Sequence, residues 1–330
     1  MADVARLADV SIATVSRALR GRPGVSAPTR DRILAAADQL AYVISPAASG
    51  LSQRSTRRIA VVVPRLDAWF QASMVAAIEE TVRDVDVDLI VYQVDGETQR
   101  RRFFQHLPSR RKVDAVVLVA LPLRAEEEER LDLLGVDVIV AGGRLRDYPH
   151  VEVDDRALAL AATGHLLDLG HVRVGLIRTL DTEGAVWSSD VRRLQGYADA
   201  HDAAGVPLDE DLVVSEPYGV TSGAAGLARL LALPRPPTAV FCYSDEIAVA
   251  AWSELGRRGL RVPGQMSVVG VDGHPLSGLF GITTIDQGVP DQGRIAAQMA
   301  LRLMDGEVLT ESVVRVPWTL VDRGSTGPPA

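Results

Sequence analysis

Residues 2–51 read ADVARLADVSIATVSRALRGRPGVSAPTRDRILAAADQLAYVISPAASGL, a stretch in which three short amphipathic helices follow one another. The first is expected over residues 2–8, where Val4, Leu7 and Ala8 share a face. Ser11 offers a side-chain oxygen to cap a second helix over residues 12–20, which Gly21 stops. Ser26 is expected to cap a third over residues 27–40, whose first turn tolerates Pro28. Only Asp9, Val10 and Ser11 join the first two helices. Two helices joined so tightly make the helix-turn-helix unit that lays its second helix in the DNA major groove. That helix opens Ile12-Ala13-Thr14-Val15-Ser16-Arg17, small and hydroxyl side chains plus one arginine, a face that approaches a base-pair edge closely. A three-helix packing module that touches no DNA is the alternative, and it gives these polar residues no reason for their positions.

The charge is divided along the chain. The whole carries 35 Lys+Arg against 43 Asp+Glu, a net of −8. Residues 1–58 nevertheless hold nine arginines against four aspartates. A basic end on an acidic body concentrates phosphate attraction in one place and discourages DNA from binding elsewhere. At 330 residues the chain is long enough for more than one domain. Its single cysteine, Cys242, rules out an intrachain disulfide and a cysteine-rich metal site, and its apolar neighbours predict a packed thiol. With no signal-like N-terminus and no apolar run of membrane-spanning length, a cytoplasmic, nucleoid-associated protein is expected.

The opening stretch resembles the DNA-binding headpiece of the LacI/GalR family of bacterial repressors. The run V-A-x-x-A-x-V-S-x-x-T-V-S-R-x-L appears as Val4-Ala5, Ala8, Val10-Ser11, Thr14-Val15-Ser16-Arg17 and Leu19. It continues through Val25-Ser26, Thr29-Arg30, Ile33 and Leu40-Ala41-Tyr42. The resemblance implies DNA contacts from Ser11, Ile12, Ala13, Thr14, Ser16, Arg17, Arg20, Ser26, Thr29 and Tyr42. Residues 42–58, rich in Ser, Ala, Pro and Gly, read by themselves as a flexible linker. In the family the corresponding segment becomes a short helix on operator DNA, and paired helices of a dimer wedge a leucine into the minor groove. The resemblance places Leu51 at that wedge, with Ala48 beside it; such a wedge kinks DNA by unstacking a base step. Ile44, Ser49 and Gly50 depart from the family pattern, and Gly50 weakens a helix.

From Ile59 onward apolar runs alternate with amphipathic helical stretches. Strands are expected over 59–63, 89–94, 115–119, 136–140, 172–177, 239–242 and 266–271, and helices over 72–85, 155–169, 222–231 and 245–258. Continuous apolar strands separated by helices argue for parallel sheets covered on both faces. The fold class is therefore α/β: an all-α helix-turn-helix headpiece, then two doubly wound parallel-sheet lobes. Ligands of such folds sit at the carboxyl ends of strands, here in the cleft between lobes. This region also resembles the family's core, which is related to periplasmic sugar-binding proteins. The resemblance runs through Leu166-Leu167-Asp168-Leu169-Gly170-His171, Arg193-Leu194-Gln195-Gly196-Tyr197, Pro237-Thr238-Ala239-Val240-Phe241, Ser267-Val268-Val269-Gly270 and Arg323-Gly324-Ser325-Thr326. The expected domains are a headpiece over 1–44, a hinge over 45–58 and a core over 59–330. Within the core, one lobe takes 59–156 plus 286–316 and the other 157–285 plus 317–330.

Enzyme signatures are missing: no Gly-x-Gly-x-x-Gly after a strand, no phosphate loop with its lysine, no Gly-x-Ser-x-Gly elbow and no His-Glu-x-x-His. No cofactor or metal is expected. His165 and His171 are poorly spaced for a shared metal, and His171 beside Gly170 reads as a helix-end residue. Asp154-Asp155 reads as an acidic pair opening a helix, a sufficient structural role.

For the effector, the resemblance implies that Arg193 and Asp272 point into the cleft. A guanidinium fork and a carboxylate each grip vicinal hydroxyls, and an unpaired one in a closed cleft is costly. Asp245 falls beside a further family contact position, and Ser244 replaces its common asparagine. Phe70 and Tyr218 match positions where aromatics cover a flat ligand face. Asp272-Gly273 stands where Asp-Asp is frequent. If Arg65 and Arg178 also face the cleft, it is more cationic than a neutral sugar requires, and a phosphorylated or carboxylated sugar becomes the ligand to test.

The expected protein is a homodimeric, effector-controlled repressor of a carbohydrate-utilisation operon, binding a palindromic double-stranded operator, with a sugar or sugar derivative as effector and no membrane partner. The alternatives are a sugar-binding transport or sensory module, which leaves residues 2–51 unexplained, and a doubly wound phosphosugar enzyme with a fused headpiece, which lacks a catalytic constellation. In one operator-binding assay at matched salt, Arg17→Ala is expected to reduce preference for operator over random DNA, and Leu51→Ala to reduce the DNA bend angle. An unchanged preference removes the base-reading role of Arg17, and an unchanged bend removes the wedge.

Overall fold

The computed structural model describes residues 1–19, 23–40, 56–106, 113–133, 135–180, 187–219 and 221–330. The chain forms two compact units, Met1–Thr56 and Arg57–Ala330.

In the first unit, α1 (Ala2–Leu7), α2 (Ile12–Leu19) and α3 (Ala27–Gln39) surround a small core of Val4, Ala5, Ala8, Val15, Ala18, Ile33, Ala36 and Ala37. Alanines dominate because three short helices packed this closely leave no room for larger side chains. Asp9 takes the left-handed conformation (φ 50°) that turns the chain between α1 and α2, which Asp tolerates better than most residues. Ser11 Oγ then accepts the Thr14 backbone N–H at 3.1 Å, the expected cap of α2. Ser26 does otherwise. Its hydroxyl pairs with that of Thr29 at 2.8 Å and leaves the α3 backbone uncapped, so the expected cap is corrected to a hydroxyl pair.

The second unit holds two six-stranded sheets. The first contains β1 (Arg58–Val63), β2 (Asp88–Gln93), β3 (Ala115–Val119), β4 (Asp137–Ala141), β5 (His150–Glu152) and β11 (Val313–Arg315), in the order β11-β5-β4-β3-β1-β2 and parallel throughout. The second contains β6 (Val174–Leu180), β7 (Val213–Pro217), β8 (Ala239–Cys242), β9 (Ser267–Asp272), β10 (Thr283–Asp286) and β12 (Thr319–Val321), in the order β12-β10-β9-β8-β6-β7, with only β12 antiparallel. Helices α4 (Trp69–Val82), α5 (Glu97–His106) and α6 (Ala125–Asp132) belong to the first lobe. Helices α7 (Asp155–Asp168), α8 (Ser188–Ala204), α9 (Ser222–Leu231), α10 (Asp245–Arg257) and α11 (Pro275–Phe280) belong to the second, and α12 (Val289–Met304) returns to pack against α4. Two doubly wound lobes result, as the alternating pattern predicts.

Strand β3 is buried along its whole length, and each of its Val and Leu side chains contributes roughly 1.5–3 kcal/mol by leaving water. The chain passes between lobes after β5, after β10 and after β11. At the first crossing α7 meets α8 so closely that a Cβ on Gly196 would stand 2.1 Å from the Arg156 carbonyl oxygen. Among the described residues, no helix is long and apolar enough to cross a membrane.

Candidate functional site

In the first unit the α2 face carries the residues expected to read DNA. Ser11, Ile12, Ala13 and Arg17 are exposed, and Thr14 and Ser16 are partly buried. Ile12 exposes 53% of its surface at the start of the helix. The Ser11 and Thr14 hydroxyls hydrogen-bond at 2.8 Å, which fixes their orientation at the helix tip. Ser26 is exposed and Thr29 half-buried at the start of α3. Arg20, Tyr42, Ala48 and Leu51, and with them most of the hinge, lie outside the described residues.

In the second unit a cavity of about 140 Å³ opens between the lobes. The carboxyl end of almost every core strand reaches it. Pro64 and Arg65 follow β1, Asp95 follows β2, Ala120 β3, Gly142 β4 and Val153 β5; from the other sheet come Thr179 of β6, Pro217 of β7, Tyr243 after β8, Asp272 of β9 and Gln287 after β10. Parallel strands all point the same way, so their ends converge where the two sheets face each other. Among the described residues, three contacts bridge the lobes around it. Arg65 donates Nη1–H to the Tyr218 carbonyl at 3.3 Å with its guanidinium 5.8 Å above the Tyr218 ring, and Trp187 donates Nε1–H to the Ala120 carbonyl at 3.2 Å. Trp69 packs on His274 with ring centroids 4.6 Å apart. The lobes are therefore closed over the cavity.

Phe70, Arg193, Tyr218, Ser244 and Asp272 all line it. Arg193 and Asp272 are 5% and 4% exposed. Arg193 Nε–H donates to Asp155 Oδ1 at 2.8 Å and Nη1–H to the Tyr243 carbonyl at 2.5 Å, with the cation 4.5 Å from the Tyr243 ring. Burial works against its charge, but Asp155, Tyr243 and Asp272 outweigh it and hold the guanidinium firmly protonated. Gln287 donates to Asp272 Oδ1 at 2.6 Å. Burial, and then the charge of Asp245, lift the Asp272 carboxyl well above the usual carboxylate range, against the pull of Arg193. Asp272 also holds φ at 132°, a strained conformation for a residue with a side chain. Gly273 follows at φ 73°, where a Cβ would stand 2.6 Å from the Asp286 carboxyl, which accounts for the loss of the family's second aspartate.

The reading of Asp245 is corrected, and Arg178 and Arg65, whose places the sequence left open, take different ones. Asp245 does not line the cavity: it is fully buried behind it, accepting the Thr284 hydroxyl at 2.6 Å and the His274 N–H at 2.7 Å, and so braces the turn after Asp272. Arg178 does not make the cavity cationic, because it forks onto buried Asp190. Arg65 does line it but is forked onto Asp67 at 2.9 and 2.6 Å. His171 stands at the helix end, as the sequence implies, its N–H donating to the Leu166 carbonyl at 3.3 Å. It is buried, joining the Thr238 hydroxyl at 2.8 Å and the Gly327 carbonyl at 2.9 Å, and ties the C-terminal segment down.

Sequence reasoning missed Asp155, which it treated as a helix opener. Asp154 does that work by accepting the Ala157 N–H at 3.1 Å, while Asp155 turns inward to Arg193. It also missed Gln71, Thr179, Trp187, Ser189, Tyr243 and Gln287; their common signal is a position at or just beyond a strand end, or in the helix that follows.

Burial pushes the Asp245 carboxyl up to about 6, opposed by hydrogen bonds from Thr284, His274 and Ser277. An acid raised on folding stabilises the fold below its ordinary pKa and loses that contribution as pH rises through the folded value. Urea unfolding is therefore expected to show Asp245→Asn gaining on the wild type by up to roughly 3 kcal/mol as pH rises from about 4 to above 6. A pH-independent difference would contradict this.

The family model for a periplasmic binding protein-like domain matches residues 163–326, and that for bacterial regulatory proteins of the lacI family matches residues 1–45. The HTH-type transcriptional repressor CytR of Escherichia coli (strain K12) is 31% identical over 330 residues, covering 99% of this chain and 96% of its own. The solved transcriptional regulator CelR-cellobiose complex is 29% identical, with a TM-score of 0.74 and 98% of each chain covered. The lac repressor dimer bound to operator and the anti-inducer ONPF, 24% identical, shares the fold with a TM-score of 0.86 over 98% of each chain. A helix-turn-helix unit ahead of a two-lobed ligand-binding core, matched over its whole length, is a DNA-binding transcriptional regulator and not an enzyme: the chain belongs to the lacI family of bacterial regulatory proteins.

Proposed function

We propose that this chain is a transcriptional repressor of a carbohydrate-utilisation operon, acting in the cytoplasm on the nucleoid as a homodimer. Each headpiece lays α2 in one major groove of a two-fold operator, with Ile12, Ala13 and Arg17 nearest the base edges and Ser11, Thr14, Ser16, Arg20, Ser26, Thr29 and Tyr42 on the flanking backbone. Ala48 and Leu51 of the hinge enter the central minor groove. A sugar or sugar derivative occupies the cavity between the lobes and controls the attachment. Arg193, Asp272 and Ser244 grip its polar edge, and Phe70 and Tyr218 cover its faces. Asp245 acts one step behind, holding the turn that carries Asp272.

The convergence of the strand ends on a buried arginine and a buried aspartate carries this reading. The similarity to the repressor CytR and to the CelR-cellobiose complex supports it. The ligand can shift the DNA-bound population only by its unequal affinity for the open and closed lobes. Asp272→Ala is expected to retain operator affinity and lose the response to the ligand found by a thermal-shift screen of sugars. Calorimetry showing wild-type ligand affinity in that variant would contradict the assignment.

A further inference from the structure

The charge of the cavity is unbalanced in one direction. Among the described residues, two guanidiniums and three carboxylates line it. Both cations are already occupied, Arg193 by Asp155 and Arg65 by Asp67, a carboxylate outside the lining. That leaves Asp272, 4% exposed, and Asp95 at the rim without an ion pair of their own among the described residues, sharing the charge of Arg193 and Arg65 with Asp155 and Asp67. Further acid stands behind: Asp245 beneath the Asp272 turn, and Glu246, which accepts the Tyr218 hydroxyl.

The uncharged groups point the same way. Asp272 receives one donor, Gln287, on Oδ1, and its other oxygen has none among the described residues. Gln71 Oε1 and Thr179 Oγ1, one from each lobe, are buried lining groups without a hydrogen-bond partner among the described residues. Buried polar atoms left unmatched are costly; Asp272 and Gln71 Oε1 take donors and the Thr179 hydroxyl takes either, so a ligand that fits here brings at least two donors. An anion instead adds to the excess of carboxylates over guanidiniums around the cavity. The strain at Asp272, whose φ of 132° suits glycine better, fits a carboxylate needed at that point.

Resting on the reading of this cavity as the effector site, we infer that the effector is cationic: a polyhydroxylated ring bearing a protonated amine, with the ammonium on Asp272 and ring hydroxyls on Gln71 and Thr179. An amino sugar is the simplest such molecule. A phosphorylated or carboxylated sugar is the wrong sign.

The test uses the full-length protein and hexoses in matched forms: the 2-amino sugar, its N-acetyl derivative, the parent sugar and the 6-phosphate, in the gluco, galacto and manno series. Calorimetry is expected to show one free amine binding at least tenfold tighter than its N-acetyl and parent forms, with its phosphate weakest. Asp272→Asn is expected to abolish the preference, and Asp95→Asn, an exposed position that leaves the fold alone, to reduce it. A parent sugar or phosphate binding as tightly as its amine, an amine preference that survives Asp272→Asn, or no amine binding at all overturns the inference. If a neutral or anionic sugar binds and alters operator affinity, the effector reading stands and only the cationic assignment falls. If changes in the cavity alter no ligand's effect on DNA, the effector reading itself falls.

Discussion

One buried ion pair organises the core: Arg193 on Asp155, with both side chains less than a tenth exposed. Asp155 is the first residue of α7, reached immediately after the chain leaves the first sheet for the second. Its carboxylate therefore sits at a helix N-terminus, which favours negative charge. Arg193 comes from α8, and its other arm reaches the carbonyl of Tyr243 at the end of β8. One guanidinium thus joins the interlobe crossing, a helix and a strand end. Gly196, one turn further along α8, lets the two helices meet closely enough for the pair to form. Such a pair adds little net stability over an apolar substitute, but breaking it leaves a buried charge at a cost of about 3–5 kcal/mol. Its main effect is on geometry, because it fixes the cavity wall against which Asp272 is presented.

The same economy explains how the cavity senses a ligand. Among the described residues, the lobes touch near its mouth through Arg65 with Tyr218, Trp187 with Ala120, and Trp69 with His274. None is a large apolar interface, so a ligand contacting Gln71 on one lobe and Asp272 on the other adds appreciably to closure. On the proposed reading, the signal to DNA is that added closure and nothing else.

Much of this was legible in the sequence. The bounds of β3, β8 and α9 match the expected ones, because continuous apolar runs and a clean amphipathic stretch leave no competing interpretation. The short strands β5, β11 and β12, three residues each, escaped notice, as did partly polar β7. β7, β11 and β12 are edge strands and β5 lies next to one, and such short strands are held by their neighbours, not by a pattern of their own. Arg193 and Asp272 were legible through resemblance, whereas Asp155 was not, since an acid at a helix start has a sufficient local reason. Asp245 misled, and Arg178 stayed open, for the opposite cause: position beside the cleft does not say whether a side chain enters it, and the Thr284–His274 pair and Asp190 hold them away.

A double-mutant cycle of Asp155→Asn and Arg193→Met, read by urea unfolding, measures this organising pair most directly. Contacting residues in a shared buried network show interaction energies of about 0.5–3 kcal/mol, and the account predicts a value of about 2 kcal/mol or more. Additive effects, with a coupling near zero, would contradict it.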